Sequence, residues 1–264
     1  MHKAALRCGA ARHGRAAHVN TPFIIQQSVL VSLLLAIYYA TGKLVSHKGV
    51  KVNYTRKINH FALFFLPSAL GMIFTYQKTM STRIAGLIIA IGMLGIFIKP
   101  LRDRSGIISA MFLSFDRPED RPRTLLWITT QYLAAAGVVI PLLIYLNSVH
   151  RTELLMIPLL INGVGDGLAE PVGVRFGRRK YRARALFSEK SYERSIEGSL
   201  CVLLAGILSV IAFRHSFTPA QFPAAVAILP VSATLAEAFS PHTWDTPFIY
   251  ATAGVALGCI LKFL

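Results

Sequence analysis

Long apolar runs separated by short, mostly basic connections dominate the chain from Phe23 onward. Eight runs stand out: Phe23 to Thr41, Phe61 to Tyr76, Ile84 to Ile98, Leu125 to Leu146, Leu154 to Val174, Ile196 to Phe213, Phe222 to Phe239 and Pro247 to Leu261. A hydrocarbon core of ~30 Å needs about 20 helical residues, so runs of this length predict helices that cross a membrane. The second and third runs are short and can form one hairpin that does not fully cross. A still shorter run, Ile107 to Phe115, precedes the polar stretch DRPEDRPR. Its length suits a helix lying in the interface or a plain surface linker. The pattern predicts an all-α, polytopic integral membrane protein with about seven to eight transmembrane helices. Residues 1–20 read as a basic tail and residues 21–264 as a single membrane domain, without internal repeat or low-complexity linker.

Composition agrees with the pattern. Hydrophobic residues make up 54% of the 264 positions and charged residues 15%, with a mean hydropathy of +0.53. A soluble globular domain of this length is excluded. The net charge of +16 does not indicate nucleic-acid binding, because Lys and Arg lie between apolar segments and not on a soluble face. Nineteen of them occupy alternate loops, while the intervening loops hold only Lys78, Arg83, Arg151 and Arg214. The positive-inside bias therefore puts the rich loops in the cytoplasm and both termini outside. Lys3, Arg7, Arg12 and Arg15 conflict with that orientation; the acid-free first twenty residues read either as a targeting sequence or as a basic tail. Cys8, Cys201 and Cys259 have no paired spacing, so neither a disulfide framework nor a zinc site is indicated.

The chemistry concentrates between Asn162 and Leu204, where Asp166 and Glu170 interrupt an apolar helix that runs into the basic loop GRRKYRAR. An ionisable group in a membrane segment costs at least ~2.5 kcal/mol unless a cavity, a partner or a metal receives it. Gly163, Gly165, Gly167 and Pro171 interrupt the same helix, and freed backbone groups at membrane depth imply a cavity. If the helix stays regular there, Asp166 and Glu170, four residues apart, share a face and can hold a divalent ion. Three further polar sets fall at the same cytoplasmic level: Arg56, Lys57 and His60; Glu237; and Asp245 beside His242 and Trp244. Taken singly, the basic pair also fits an ordinary inside-positive flank, and the basic loop a lipid-headgroup anchor.

Together these sets hold what phosphoryl transfer needs: cation ligands, Lys and Arg for a polyphosphate, glycines for close approach, and a group to orient an acceptor hydroxyl. No Walker A sequence, HExxH, paired CxxC or GxSxG occurs, which argues against a P-loop enzyme, a metalloprotease, a zinc module or an α/β-hydrolase.

At these residues the chain resembles the polyprenol kinase family, which comprises phytol and farnesol kinases, dolichol kinases and CTP-dependent diacylglycerol kinases. RKINH from Arg56 to His60 resembles the family's early Arg-Lys-x-x-His element. GDGLAEPVGVRFG from Gly165 to Gly177 is similar to its central Gly-Asp-Gly-x-Ala-Asp motif, and RSIEGS from Arg194 to Ser199 to its Lys-Ser-x-x-Gly-Ser element. Glu237 and Asp245 stand where the family has a closing Glu and Asp. The chain departs with Glu170 for the second Asp, Arg194 for Lys unless Lys190 and Ser191 fill that role, and Thr246 for Asn. The resemblance implies transfer of the γ-phosphate of CTP, with Mg2+, to an isoprenoid or lipid alcohol at the cytoplasmic membrane face. It implies that Asp166 and Glu170 are catalytic or metal carboxylates completed by Glu237 and Asp245, and that His60 and Arg56 lie near the acceptor. Lys57, Gly165, Gly167, Arg178, Arg179, Lys190, Arg194, Ser195 and Gly198 would surround the nucleotide. The expected partners are the lipid alcohol and membrane lipids, in a bacterial inner membrane, the endoplasmic reticulum or a plastid envelope.

Two other functions compete. A phosphatidate cytidylyltransferase also uses CTP, but its Lys-Asp, Pro-Gly-His-Gly-Gly and Asp-Arg elements do not occur here. A transporter or noncatalytic membrane protein would use the interrupted fifth segment as a gate, yet no matching interrupted segment occurs in the other half.

Overall fold

A computed structural model describes residues 21–184 and 191–264; the basic tail and Lys190 lie outside them. Each of the eight apolar runs is helical over most of its length. In chain order the helices are α1 (Thr21–Lys48), α2 (Val52–Ile73), α3 (Met80–Gly92), α4 (Lys99–Arg104), α5 (Gly106–Leu113), α6 (Thr124–Ser148), α7 (Met156–Leu160), α8 (Gly167–Phe176), α9 (Ile196–Ala212), α10 (Gln221–Phe239) and α11 (Asp245–Phe263). Six helical stretches are long and apolar enough to cross a membrane, including Met80–Phe97 and Thr152–Phe176, each of which combines adjoining helical turns. The chain is a multi-pass, all-α membrane protein. Its outer surface bears Ile88, Leu208, Val255 and Phe239, each more than 60% exposed, as expected for faces turned to lipid.

Two expectations are corrected. The third segment is not too short to cross: α3 and the turn after it run from Met80 to Phe97 and count among the six spans, whereas α2, whose 22 residues begin nine before the apolar run, does not. The first turns of α2 consist of polar residues that an apolar count leaves out. The fifth segment is not broken either. Ile161–Asp166 forms a π-helical turn joining α7 to α8, so the backbone widens but stays hydrogen-bonded.

The basic loop forms an unforeseen antiparallel hairpin, β1 (Lys180–Arg184) with β2 (Ser191–Ser195), in which Tyr181 faces Arg194 and Arg182 faces Glu193. Ser195 ends β2 and caps α9, its hydroxyl accepting the Gly198 N–H at 3.1 Å. The short apolar run is α5, which packs on α1 so closely that a Cβ on Gly42 would overlap the Ala110 carbonyl.

The interior has two parts. Leu146, Ile157, Ile161, Val202, Leu229 and Ile249 centre one core, built from α6, α7, α9, α10 and α11. Leu30, Leu34, Tyr38, Leu70, Phe97 and Phe112 centre the other, built mainly from α1, α2 and α5. Between them lies a cavity of about 490 Å³, walled by α1, α2, α3, α6 and the α7 to α8 stretch.

Candidate functional site

The helix ends that carry the polar residues meet at one end of this cavity. Lys57, on the second turn of α2 and only 4% exposed, donates from Nζ to the Asp166 backbone carbonyl at 2.8 Å and to Asp166 Oδ2 at 3.1 Å. The same ammonium lies 3.7 Å from Glu170 Oε2. The i, i+4 carboxylates thus share a face, as the sequence predicts, and Lys57 fills the space between them.

Glu170 is further engaged. Its Oε1 accepts from Asn53 Nδ2 at 2.7 Å and from Arg117 Nη1 at 3.0 Å, and Arg56 Nη1 stands 4.0 Å from Oε2. Both of its oxygens therefore face donors. Arg117 in turn donates from Nε to Asp120 Oδ2 at 2.7 Å. His242 Nε2 lies 3.0 Å from Asp120 Oδ1 and 3.1 Å from Arg117 Nη2, and it can serve only one of them at a time. Burial raises the Asp120 carboxyl, but the His242 contact and Arg117 outweigh it and hold its pKa at about 2. For His242, burial dominates and lowers the pKa below 6.5 against the pull of Asp120. Tyr192 stacks on the imidazole with 3.5 Å between centroids, and His242 N–H donates to Arg184 O at 2.7 Å, so the hairpin is pinned over this network.

A second network stands on α9, α10 and α11. Arg194 Nη1 donates to Glu237 Oε1 and to Ser240 Oγ, both at 3.2 Å, and its Nη2 lies 3.9 Å from Asp245 Oδ2. Burial opposes the Arg194 charge, but Asp245 and Glu237 raise its pKa above the ordinary value. Glu237 Oε2 accepts from Ser199 Oγ at 2.7 Å, and Ser199 pairs with the Tyr181 hydroxyl. Asp245 Oδ1 accepts from Gln131 Nε2 at 3.1 Å and from the Thr246 N–H.

The two networks reach the cavity wall through Arg56, Lys57, His60 and Asp166 on one side and Gln131 and Thr246 on the other. His60 Nε2 faces the Asn162 carbonyl at 3.3 Å; a carbonyl only accepts, so Nε2 carries the proton and Nδ1 the lone pair. Two buried atoms of cavity-lining residues, Arg56 Nη1 and Asn162 Oδ1, have no hydrogen-bond partner among the described residues. Such atoms are costly unless a ligand or water serves them.

Several sequence candidates lie elsewhere. Arg178 and Arg179 are exposed, and their backbone N–H groups, not their guanidiniums, meet Glu197 Oε1 at 3.0 and 3.3 Å. Gly165, Gly167 and Gly198 serve packing: added Cβ atoms would lie 2.8 Å from Val202 Cα, 2.9 Å from the Phe61 ring and 2.7 Å from the Ala169 carbonyl. Small residues at membrane helix contacts allow this close approach. Sequence reasoning missed Asn53, Arg117, Asp120 and Ser199, and read the loop holding Arg117 and Asp120 as an interfacial helix or a surface linker. A buried ion pair leaves no mark on local hydropathy.

A divalent ion has a limited choice of ligands here. Among the described residues, no group of three or more His, Cys, Asp or Glu side chains is placed to share a metal. Mg2+ typically takes one or two carboxylates and completes its shell with water and substrate phosphates. Asp166 Oδ1 accepts no hydrogen bond among the described residues, and Asp245 Oδ2 has only the 3.9 Å contact with Arg194. These two oxygens fit that requirement; Glu170 has both oxygens engaged by Asn53, Arg117 and Lys57, and Glu237 both engaged by Arg194 and Ser199.

Compared with known proteins, the chain matches no family model, no curated protein and no solved structure.

Proposed function

We propose that the protein is a lipid alcohol kinase, moving the γ-phosphate of CTP onto the hydroxyl of an amphiphile held in the cavity. The observation that carries this reading is the cavity itself, an apolar chamber whose polar end joins two buried charge networks to an unserved donor and an unserved acceptor. Its long apolar wall suits a hydrocarbon chain, and Arg56 Nη1 and Asn162 Oδ1 suit an oxygen-bearing head. The nucleotide and the isoprenoid class come from the resemblance of the central motif.

In this reading His60 Nδ1 takes the hydroxyl proton as the alcohol oxygen bonds to the γ-phosphorus and the bond to the β-phosphate oxygen breaks, releasing CDP. Arg56, Lys57 and Arg194 offset the phosphate charge. Asp166 and Asp245 would hold Mg2+, which supplies further charge neutralisation on the phosphate oxygens. Arg117, Asp120 and Asn53 keep Glu170 and the hairpin in place.

The test uses purified protein with Mg2+, a panel of lipid alcohols and phosphatidate, and CTP labelled at the γ- or the α-phosphate. Label entering lipid only from the γ position is expected. Entry only from the α position would make the protein a cytidylyltransferase; entry from neither, with ATP also tried, would favour transport or a noncatalytic role.

A further inference from the structure

The hairpin has two unlike faces, because successive residues of a strand point to opposite sides. Tyr181, Ala183, Tyr192 and Arg194 turn inward: Ala183 is buried, Tyr181 meets Ser199, Tyr192 stacks on His242 and Arg194 reaches Glu237. Lys180, Arg182, Arg184 and Glu193 turn outward and are exposed. The outward face continues onto the end of α8, where Arg175, Arg178 and Arg179 are exposed as well.

Six cations thus stand beside two acids, Glu193 and Glu197. Neither acid is in ion-pair contact with an arginine. Glu193 pairs with Lys180 at 2.8 Å, and Glu197 Oε1 is taken by the Arg178 and Arg179 backbone N–H groups. Among the described residues, none of the five arginines has an ion-pair partner.

The neighbours of these arginines place them at the edge of the hydrocarbon. Phe176 ends a stretch, Thr152–Phe176, that is long and apolar enough to cross a membrane. Val174 and Phe176 on α8 and Ile196 and Leu200 on α9 flank the patch, each between 46% and 60% exposed. The Arg175 guanidinium lies 5.4 Å from the Phe176 ring centroid, a pairing suited to the headgroup level, where aromatic rings and basic side chains anchor a helix end. Arg175, Phe176, Gly177, Arg178 and Glu197 line an open depression at this point. Orientation by charge alone would be served equally by lysine. Arginine differs in that its planar fork can give two parallel hydrogen bonds to one phosphate group.

We propose that the outer face of the hairpin and the adjoining end of α8 dock anionic phospholipid headgroups. Arg175 and Arg178 seat one phosphate in the depression beside Phe176, and Arg179, Arg182 and Arg184 face the neighbouring headgroups. This inference is independent of the kinase reading, which the transfer of label decides separately.

The test places the full-length protein in nanodiscs holding phosphatidylcholine and phosphatidylglycerol in equal mole fractions. Lipid retained on the released protein is read by native mass spectrometry. A Lys or Arg close to an anionic surface is worth about a fivefold preference, so phosphatidylglycerol is expected to be retained about tenfold over phosphatidylcholine. Combining Arg175→Gln, Arg178→Gln and Arg179→Gln should cut that ratio about fivefold or more. The three side chains are exposed, and Glu197 is held by backbone N–H groups that the substitutions leave in place, so the thermal midpoint should not move.

A control removes equal charge elsewhere on the cytoplasmic side by Lys48→Gln, Lys51→Gln and Lys99→Gln, three exposed lysines. It should change the ratio by less than about twofold. Equal losses in the two variants would reduce the effect to the general charge of the cytoplasmic loops and overturn the site, as would equal retention of the two lipids by the unaltered protein. In a last arm, excess CTP should leave the retained phosphatidylglycerol in place; its displacement would assign these arginines to the nucleotide and overturn the proposal.

Discussion

Lys57 holds both carboxylates of the central motif, so its loss leaves Asp166 and Glu170 facing each other with one ammonium fewer. Removing one partner of a buried ion pair typically costs about 3–5 kcal/mol, and Lys57→Met should lower the thermal midpoint in detergent accordingly. Asp166→Asn is nearly isosteric and can still accept from Lys57. It should leave membrane insertion intact and lower the midpoint by less than Lys57→Met, because Lys57 keeps Glu170, while lowering label transfer by about 10²- to 10³-fold or more. Retained turnover would remove Asp166 from the chemistry. The loop network adds a pH dependence. The folded state disfavours protonated His242, so stability is full above 6.5 and declines as pH falls below it, because the unfolded chain takes up the proton first. Asp120 adds a further loss as pH drops from about 4 towards 2, since its folded pKa lies below 3.8. His242→Gln should remove the first decline and keep the second in a pH series of thermal midpoints.

At the scale of elements, the glycines divide by what surrounds them. A Cβ on Gly163 would lie 2.8 Å from the Phe64 ring, and one on Gly42 would overlap the Ala110 backbone. By contrast, Gly137 in α6 has nothing within 4 Å. Gly42→Val should therefore cost several kcal/mol by forcing α5 off α1, whereas Gly137→Ala should be neutral or stabilising by up to about 1 kcal/mol. Unfolding midpoints of the two variants should move in opposite directions or differ sharply. The hairpin depends on the Tyr192 stack, so Tyr192→Ala should speed tryptic cleavage at Arg182 and Arg184. The helices themselves were legible, because 3.6-residue periodicity is unnecessary when every face is apolar and length alone marks a span. The hairpin was not. Its strands are short and charged, and what orders them is contact with His242, which lies 50 residues from Tyr192 in sequence.

For the whole molecule, the orientation inferred from charge puts the site at the cytoplasmic face. In a cysteine-free background, Arg184→Cys should label only from the cytoplasmic side and Arg151→Cys only from the opposite side; the reverse pattern would invert the topology and move the nucleotide site outside. The sequence alone determined that the chain is a helical membrane protein with a polar level on one side, since hydropathy and loop charge are local quantities that no packing is needed to read. It also marked Arg56, Lys57, His60, Asp166, Arg194, Glu237 and Asp245, because ionisable groups in or beside apolar segments need a reason. Only the tertiary structure decided who pairs with whom. Asn53 meets Glu170 across 117 residues and His242 meets Asp120 across 122, and a separation of that size carries no imprint in local pattern. The cavity belongs to the same class: it is space left between two cores, and space between helices is set by their packing and not by any one segment of the chain.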